Sequence, residues 1–134
     1  MRKNWLACDL KRVSDHRGTL AIGELAHQLP FVARRFFFAT GVPVGVMRGG
    51  HAHKTIEQFA VCVHGRVTLI LDDGIERTQL HLHPSGPGVF IPAMVWDEWR
   101  DFSNDAVLLV LASKEFDESD YVRDYQQFIE LVRG

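Results

Sequence analysis

GVMRGGHAHKTIEQFAVCVHG, running from Gly45 to Gly65, holds two histidines, His51 and His53, two residues apart and just before an apolar, β-rich run from Phe59 to Val63. On a strand, residues i and i+2 project from the same face, so both imidazoles point one way. Glu57 follows four residues after His53, and Gly45, Gly49, Gly50 and Gly65 bracket the unit. A same-face histidine pair with a carboxylate close behind it is a candidate for acid-base work or for metal ligation.

Outward from this unit the chain is strand-like. Leu6 to Val13 and Thr19 to Glu24 read as strands around a turn at Ser14 to Gly18. Val32 to Ala39 reads as a strand buried on both sides or at a subunit interface, because Phe36, Phe37 and Phe38 stand in succession. Gln58 to Val63 and Arg66 to Leu71 are joined by His64-Gly65, the spacing of a tight hairpin. Asp72 to Gly74 is a turn into an alternating strand from Ile75 to Leu82; Gly88 to Ile91 and Ala106 to Ala112 follow as strands, the last fully buried. About nine or ten short strands in this order predict an all-β, double-sheet jelly roll, whose interior can enclose a ligand. Asp117 to Asp120 supplies acidic capping residues, and Tyr121, Tyr125, Phe128 and Val132 recur at helical spacing. That pattern predicts one C-terminal α-helix over about residues 119–132, packed on a β body of about 5–112.

At 134 residues the chain is one domain, 1–134, with one core. A hydrophobic fraction of 46% against 24% charged residues is ordinary globular composition and argues against disorder. The net charge of −2 and the dispersed Lys and Arg residues argue against nucleic acid as a partner. No apolar run approaches the roughly 20 residues that cross a bilayer, so no membrane span is expected. The start, MRKNWLACDLKR, lacks the sustained apolar core of a signal peptide, which points to a cytoplasmic protein. Cys8 and Cys62 are isolated, and Cys62, inside an apolar strand, reads as a buried, inert thiol.

The glycine-bracketed unit resembles the first motif of the cupin superfamily, the double-stranded β-helix jelly rolls: Gly45, five residues, His51-x-His53, three residues, Glu57, then Gly65 one residue later than usual. The second cupin motif has its counterpart in Gly86, Pro92-Ala93-Met94, Val95-Trp96 and then Asp97, where metal-binding members have a histidine. His51 and His53 with Glu57 or Asp97 could still form a site of two histidines and one carboxylate, so a metal-dependent cupin stays open as an alternative. The other uses of the pair are hydrogen bonding within the barrel and acid-base catalysis on an enclosed ligand.

A closer resemblance spans about Asp9 to Phe128. RGGHAHK (Arg48 to Lys54), DHRG (Asp15 to Gly18), PF followed by RRF (Pro30 to Phe36), LDDG (Leu71 to Gly74), IPAMVWDEWRDFS (Ile91 to Ser103), VLAS (Val110 to Ser113) and FDESDYVRDYQQF (Phe116 to Phe128) look like the nucleotide-sugar 3,4-ketoisomerases. The resemblance implies a cupin homodimer, often with exchanged N-terminal strands, that acts on dTDP-4-keto-6-deoxyglucose without a cofactor or required metal. Its 3-keto product would then be aminated by a PLP-dependent aminotransferase. Isomerisation needs the proton on C3 removed and a proton returned at C4 through an enediol, which an imidazole titrating near neutrality can do in both half-steps. His53 is the expected base, with His51 positioning sugar oxygens or relaying the proton, and Glu57 or Asp97 orienting an imidazole. Arg17, Arg35 and Arg48 fall in shared segments and are candidates for a diphosphate, which bidentate guanidinium groups suit. Trp96 is a candidate to stack on the base or sugar.

Two departures stand out. Relatives commonly carry a tyrosine in the strand that here reads RRFFFAT, and a phenyl ring at Phe36, Phe37 or Phe38 can donate nothing. Asp97 occupies a position where relatives often have Arg or His. Both leave a second alternative, a cupin that binds a nucleotide sugar without isomerising it. His81 and His83 alternate with Leu80 and Leu82, which puts the leucines inside and these imidazoles in solvent; His16, His27 and His64 fall in turns and loops.

Overall fold

A computed structural model describes residues 5–134, and the charged start Met1 to Asn4 lies outside them. Twelve strands are found among the described residues: β1 Leu6–Cys8, β2 Lys11–Asp15, β3 Gly18–Ile22, β4 Arg35–Thr40, β5 Arg48–His53, β6 Gln58–His64, β7 Val67–Asp72, β8 Arg77–Leu82, β9 Gly88–Ile91, β10 Trp96–Arg100, β11 Val107–Ala112 and β12 Tyr121–Val122. Two helices accompany them, the four-residue α1 Leu25–Gln28 and the C-terminal α2 Tyr125–Arg133. One five-stranded sheet runs β1-β9-β6-β11-β4 and the other β12-β5-β10-β7-β8, with β2-β3 as a separate hairpin. The paired strands are antiparallel, as the jelly-roll expectation requires.

Period-two burial places the core between the sheets. β11, expected to be fully buried, is buried on one face only, because it lies inside a sheet whose outer face is only partly covered in the single chain. Leu108, Val110 and Ala112 are buried, while Val107, Leu109 and Leu111 are partly exposed on the other face. The buried three meet Val67, Leu69 and Leu71 of β7, a strand buried throughout, together with Val89, Ile91 and Trp99. Burying side chains of this size contributes about 1.5–3 kcal/mol each, and that sum sets the sandwich against chain entropy.

Four other local expectations change. Leu6 to Val13 is two strands, broken at Asp9-Leu10 so that β1 joins β9 while β2 turns away to pair with β3. His64-Gly65 is a corner and not a hairpin, because β6 pairs with β9 and β11 whereas β7 pairs with β8 and β10 in the opposite sheet. Gly65 takes φ +71, and a Cβ there would run into Asp105 and Ala106. The glycine therefore serves a chain that changes layers as well as it serves a tight turn. Phe36 and Phe38 are 65% and 61% exposed, and only Phe37 among the three turns inward against the core.

The C-terminal helix begins later than its apolar spacing predicts. Glu118–Asp120 forms a single 3-10 turn capped by Asp117, Tyr121-Val122 pairs with His53 and Ala52 of β5, and Asp124 caps α2 by accepting from the N–H of Gln127 at 2.9 Å. Phe128, fully buried, then docks the helix on Ala52, Trp96 and Val122. His81 and His83 are exposed beside the buried Leu82, as the alternation predicts. No described helix is long and apolar enough to cross a membrane.

Phe128→Ala empties the joint between α2 and the sheet. It should lower stability by about 3–5 kcal/mol in urea denaturation. A loss below about 1 kcal/mol would mean that α2 does not anchor the C-terminal segment.

Candidate active site

β5 lies between β12 and β10, so its backbone is paired on both edges and its inward side chains are fixed. Gly49 and Gly50 take φ +80 and +78, and the pairing with β10 shifts register at Asp97-Glu98. A Cβ on Gly49 would lie 2.7 Å from Asp97 Oδ1 and 2.9 Å from Trp99 Cδ1, so only glycine permits both the left-handed backbone and this close approach. The bulge delivers His51 opposite Asp97. His51 and His53 project together, ring centroids 5.1 Å apart, and Tyr121 of β12 completes an aromatic cluster at 4.9 Å from His51 and 4.4 Å from His53.

Each imidazole has its own carboxyl group. His53 Nδ1 lies 3.5 Å from Asp120 Oδ2, at the outer limit of hydrogen bonding, and His51 Nε2 lies 3.9 Å from Asp97 Oδ1. Asp120 is anchored by the N–H and hydroxyl of Thr55, at 3.0 and 2.6 Å, and by the N–H of Ile56 at 3.0 Å. Burial works against its charge, yet these donors outweigh that cost and hold the Asp120 carboxyl below its usual range. Asp97 has no such donors: neither oxygen has a hydrogen-bond partner among the described residues. Burial therefore pushes its pKa up to about 8, with the Glu98 charge adding and Trp99 opposing. Burial also brings His51 down to about 4, reinforced by His53 and Arg123 and opposed by Glu118. For His53 burial lowers the pKa and Asp120 works against it. At neutral pH the site thus holds two neutral imidazoles, a protonated Asp97 and an ionised Asp120.

A cleft of about 550 Å³ opens on this cluster, a volume suited to a small ligand. His51 lines it, and so do Arg35, Arg48, Arg123, Trp99 and Tyr121, over an apolar floor that includes Leu108 and Val110. Arg123 forks onto Glu118 at 2.8 and 3.0 Å and sits 4.2 Å over the Tyr121 ring. The Arg35 guanidinium lies 4.8 Å from the Phe37 ring and 5.4 Å from the Phe116 ring. Arg48 has no ion pair among the described residues. Three guanidinium groups line the cleft and no carboxylate does, which makes it a place for an anion even with Glu118 paired to Arg123.

The candidates read from sequence divide accordingly. His51, Arg48 and Arg35 line the cleft, and His53, only 4% exposed, sits beside His51 without lining it. Asp97 is buried behind His51. Glu57 is outside: its backbone pairs with Ser113, and its carboxylate has no hydrogen bond or ion pair among the described residues. Trp96 packs under α2 against Tyr125 and Phe128 and donates to Glu98 Oε2, so the tryptophan of the cleft is Trp99. Arg17 stands at the tip of the β2-β3 hairpin, paired with Asp15 at 2.6 Å, away from the cleft. His51, His53, Glu57 and Asp97 do not gather as ligands of one ion, and no group of three such donors occurs among the described residues. Spacing alone does not mark Tyr121, Arg123 and Asp120 as site residues, because a capping turn and a helical repeat account for them. The alternation Tyr121-Val122-Arg123, with Val122 buried, was the available signal.

The buried base His51 and the buried acid Asp97 leave opposite marks on stability. His51 is neutral when folded, so its contribution is full above pH 6.5 and is lost as pH falls toward 4. Asp97 keeps its proton when folded, so its contribution is full below pH 3.8 and is lost as pH rises through 8. The stability difference between wild type and Asp97→Asn should therefore fall from about pH 6 to about pH 8, by at most about 1.4 kcal/mol per pH unit, in urea melts. A difference flat in pH would show that the carboxyl ionises normally.

Comparison with known proteins identifies the family. The family described as FdtA: WxcM-like, C-terminal matches residues 3–133. A TDP-4-oxo-6-deoxy-alpha-D-glucose-3,4-oxoisomerase of Aneurinibacillus thermoaerophilus is 38% identical over 124 residues, covering 92% of this chain and 89% of the relative. A mutant of the 3,4-ketoisomerase QdtA from Thermoanaerobacterium thermosaccharolyticum, solved with TDP-4-keto-6-deoxyglucose, superposes with a TM-score of 0.93 at 33% identity over 99% of this chain and 96% of that one. A 3,4-ketoisomerase from Helicobacter canadensis gives a TM-score of 0.93 at 32% identity, covering 99% of this chain and all of its own. The chain belongs to the FdtA family of WxcM-like domains and shares the jelly-roll fold of its 3,4-ketoisomerases.

Proposed function

We propose that the protein is a nucleotide-sugar 3,4-ketoisomerase that converts TDP-4-keto-6-deoxyglucose to a TDP-3-keto-6-deoxyhexose. The observation that carries this reading is a neutral His51 imidazole on the wall of a cleft lined by three guanidinium groups, with the neutral His53 packed behind it. Arg35, Arg48 and Arg123 suit a diphosphate, and the space beside His51 suits a hexose ring. The roles expected of the two histidines then exchange. His51 faces the cleft and takes the proton from C3, and the same nitrogen returns it to C4; His53, held near the ionised Asp120, packs against His51 and fixes its ring, and Glu118 favours the positive charge that builds there. The proton leaves and returns on adjacent carbons, so no electron acceptor is required.

The dimer expected from the resemblance also finds support. β4 is the edge of its sheet, and Phe36, Phe38 and Val63 form an exposed apolar strip beside it. Among the described residues the β2-β3 hairpin forms a two-stranded sheet of its own and leaves Val13 and Leu20 exposed, as befits an arm that packs on a second copy of the chain. An exchanged arm would also give Arg17 a route to a diphosphate that it lacks within its own subunit. The free Cys8 and Cys62 fit a cytoplasmic setting.

The assay is incubation with TDP-4-keto-6-deoxyglucose in D₂O, with product trapped by a 3-aminotransferase. Wild type should give the 3-keto sugar, and His51→Asn should lose about 10²- to 10⁴-fold in kcat. No product from wild type, or full activity of the variant, overturns the assignment. In sedimentation, wild type should run as a dimer and Leu20→Glu should shift toward monomer, because the added charge cannot be buried against a partner. A monomeric wild type sinks the dimer.

A further inference from the structure

The isomerisation moves two protons, and His51 accounts for one. When C4 changes from ketone to alcohol and C3 from alcohol to ketone, a proton must also pass from O3 to O4. The cleft contains few groups able to carry it. Arg35, Arg48 and Arg123 hold their protons too tightly, and the Gln58 amide and Trp99 indole do not titrate in water. The other lining residues are apolar or glycine, which leaves His51 and Tyr121 as the side chains that can release a proton and recover it.

Tyr121 is placed for that work. It stands opposite His53 in the β12-β5 ladder, with its ring 4.9 Å from the His51 ring, and its hydroxyl has no hydrogen-bond partner among the described residues. The Arg123 guanidinium, 4.2 Å from the ring centroid, supplies the positive charge that a transient phenolate needs. Phe37, inward on β4, offers no competing hydroxyl.

We propose that Tyr121 is a second catalytic residue, which carries the oxygen-borne proton from O3 to O4 while His51 carries the carbon-borne proton from C3 to C4. The proposal rests on the ketoisomerase reading above. As His51 takes the C3 proton, the C–H electron pair becomes the C3=C4 double bond, and the C4=O4 π pair takes the proton of Tyr121, leaving an enediol and a phenolate. The phenolate then removes the O3 proton, the O3–H pair becomes the C3=O3 double bond, and the C3=C4 pair takes the proton from the His51 imidazolium at C4. Both side chains end as they began, and no electron is gained or lost. O3 and O4 are vicinal, so one phenol oxygen reaches both with little movement.

Tyr121→Phe removes the hydroxyl and keeps the ring against both imidazoles. With the TDP-4-keto sugar, kcat should fall by about 100-fold or more while KM and TDP affinity by calorimetry stay within about twofold. If wild type turns over and the variant retains kcat within about threefold, the inference is overturned and the ketoisomerase assignment stands. Loss of TDP binding in the variant also overturns it, because the hydroxyl would then hold ligand or fold and not a proton. A wild type that makes no 3-keto product removes the assignment beneath it, a result separate from either.

Discussion

Asp120 accepts three hydrogen bonds from Thr55 and Ile56, and this one carboxylate ties the C-terminal segment to the end of β5. Charge-assisted bonds of this kind contribute about 1.5–3 kcal/mol each, enough to decide where a short segment lies. With the pin in place, the backbone N–H of Lys54 bonds to the Asp120 carbonyl, and Tyr121-Val122 adds to the sheet at β5. Tyr121 then covers the imidazoles, Arg123 overhangs the cleft, and α2 starts where Asp124 can cap it. Without the pin, the packing of Val122 and Phe128 is left to hold these residues. One buried carboxylate therefore links the packing of the chain end to the composition of the site.

The same end of β5 shows how the site resists relaxing to something more stable. The Met94 N–H donates to the His53 carbonyl at 2.7 Å, and Met94 takes φ +61 to do so, a conformation that costs a side-chain-bearing residue of order 1 kcal/mol. Gly49, Met94 and Asp97 together keep β5 hard against β10 at the expense of unpaired polar atoms on His51, His53 and Asp97. An apolar core would avoid that expense. Buried polar groups without partners, concentrated at one point in an otherwise well-satisfied fold, are where chemistry is to be sought.

Much of this was legible in the sequence. Period-two alternation gave the sheets and the solvent-facing His81 and His83, and the His51-x-His53 spacing gave the shared face. What escaped it were choices between partners. A two-residue link at His64-Gly65 has the length of a hairpin, but length cannot say whether the flanking strands pair or part into different sheets. The spacing of Tyr121, Tyr125 and Phe128 is helical whether or not Tyr121 is in the helix, and a long-range pairing with β5 decides otherwise. Glu57 was the nearby acid on paper, and Asp120 read only as part of a capping turn. Only the fold shows that residue 120, sixty-odd positions away, is the one beside His53. Trp96 and Trp99 are three positions apart on an uninterrupted strand, so period two sends them to opposite faces, and only the fold shows that one face lies under α2 and the other on the cleft.

A histidine with a pKa of about 4 looks a poor base for a carbon acid, yet the cause of the shift argues the reverse. Burial penalises an isolated imidazolium because water is replaced by protein. In the reaction that cation never stands alone: it forms as negative charge develops on O4 and passes to the Tyr121 oxygen, within the same cleft. Opposite charges at about 4 Å attract by about 4 kcal/mol at an effective dielectric of about 20, against about 1 kcal/mol in water. The environment that depresses the free imidazole thus strengthens the pair present at the transition state, which is the difference that accelerates a reaction. Arg123 over Tyr121 and the ionised Asp120 beside His53 extend the same logic, each placing a fixed charge opposite one that exists only in passing.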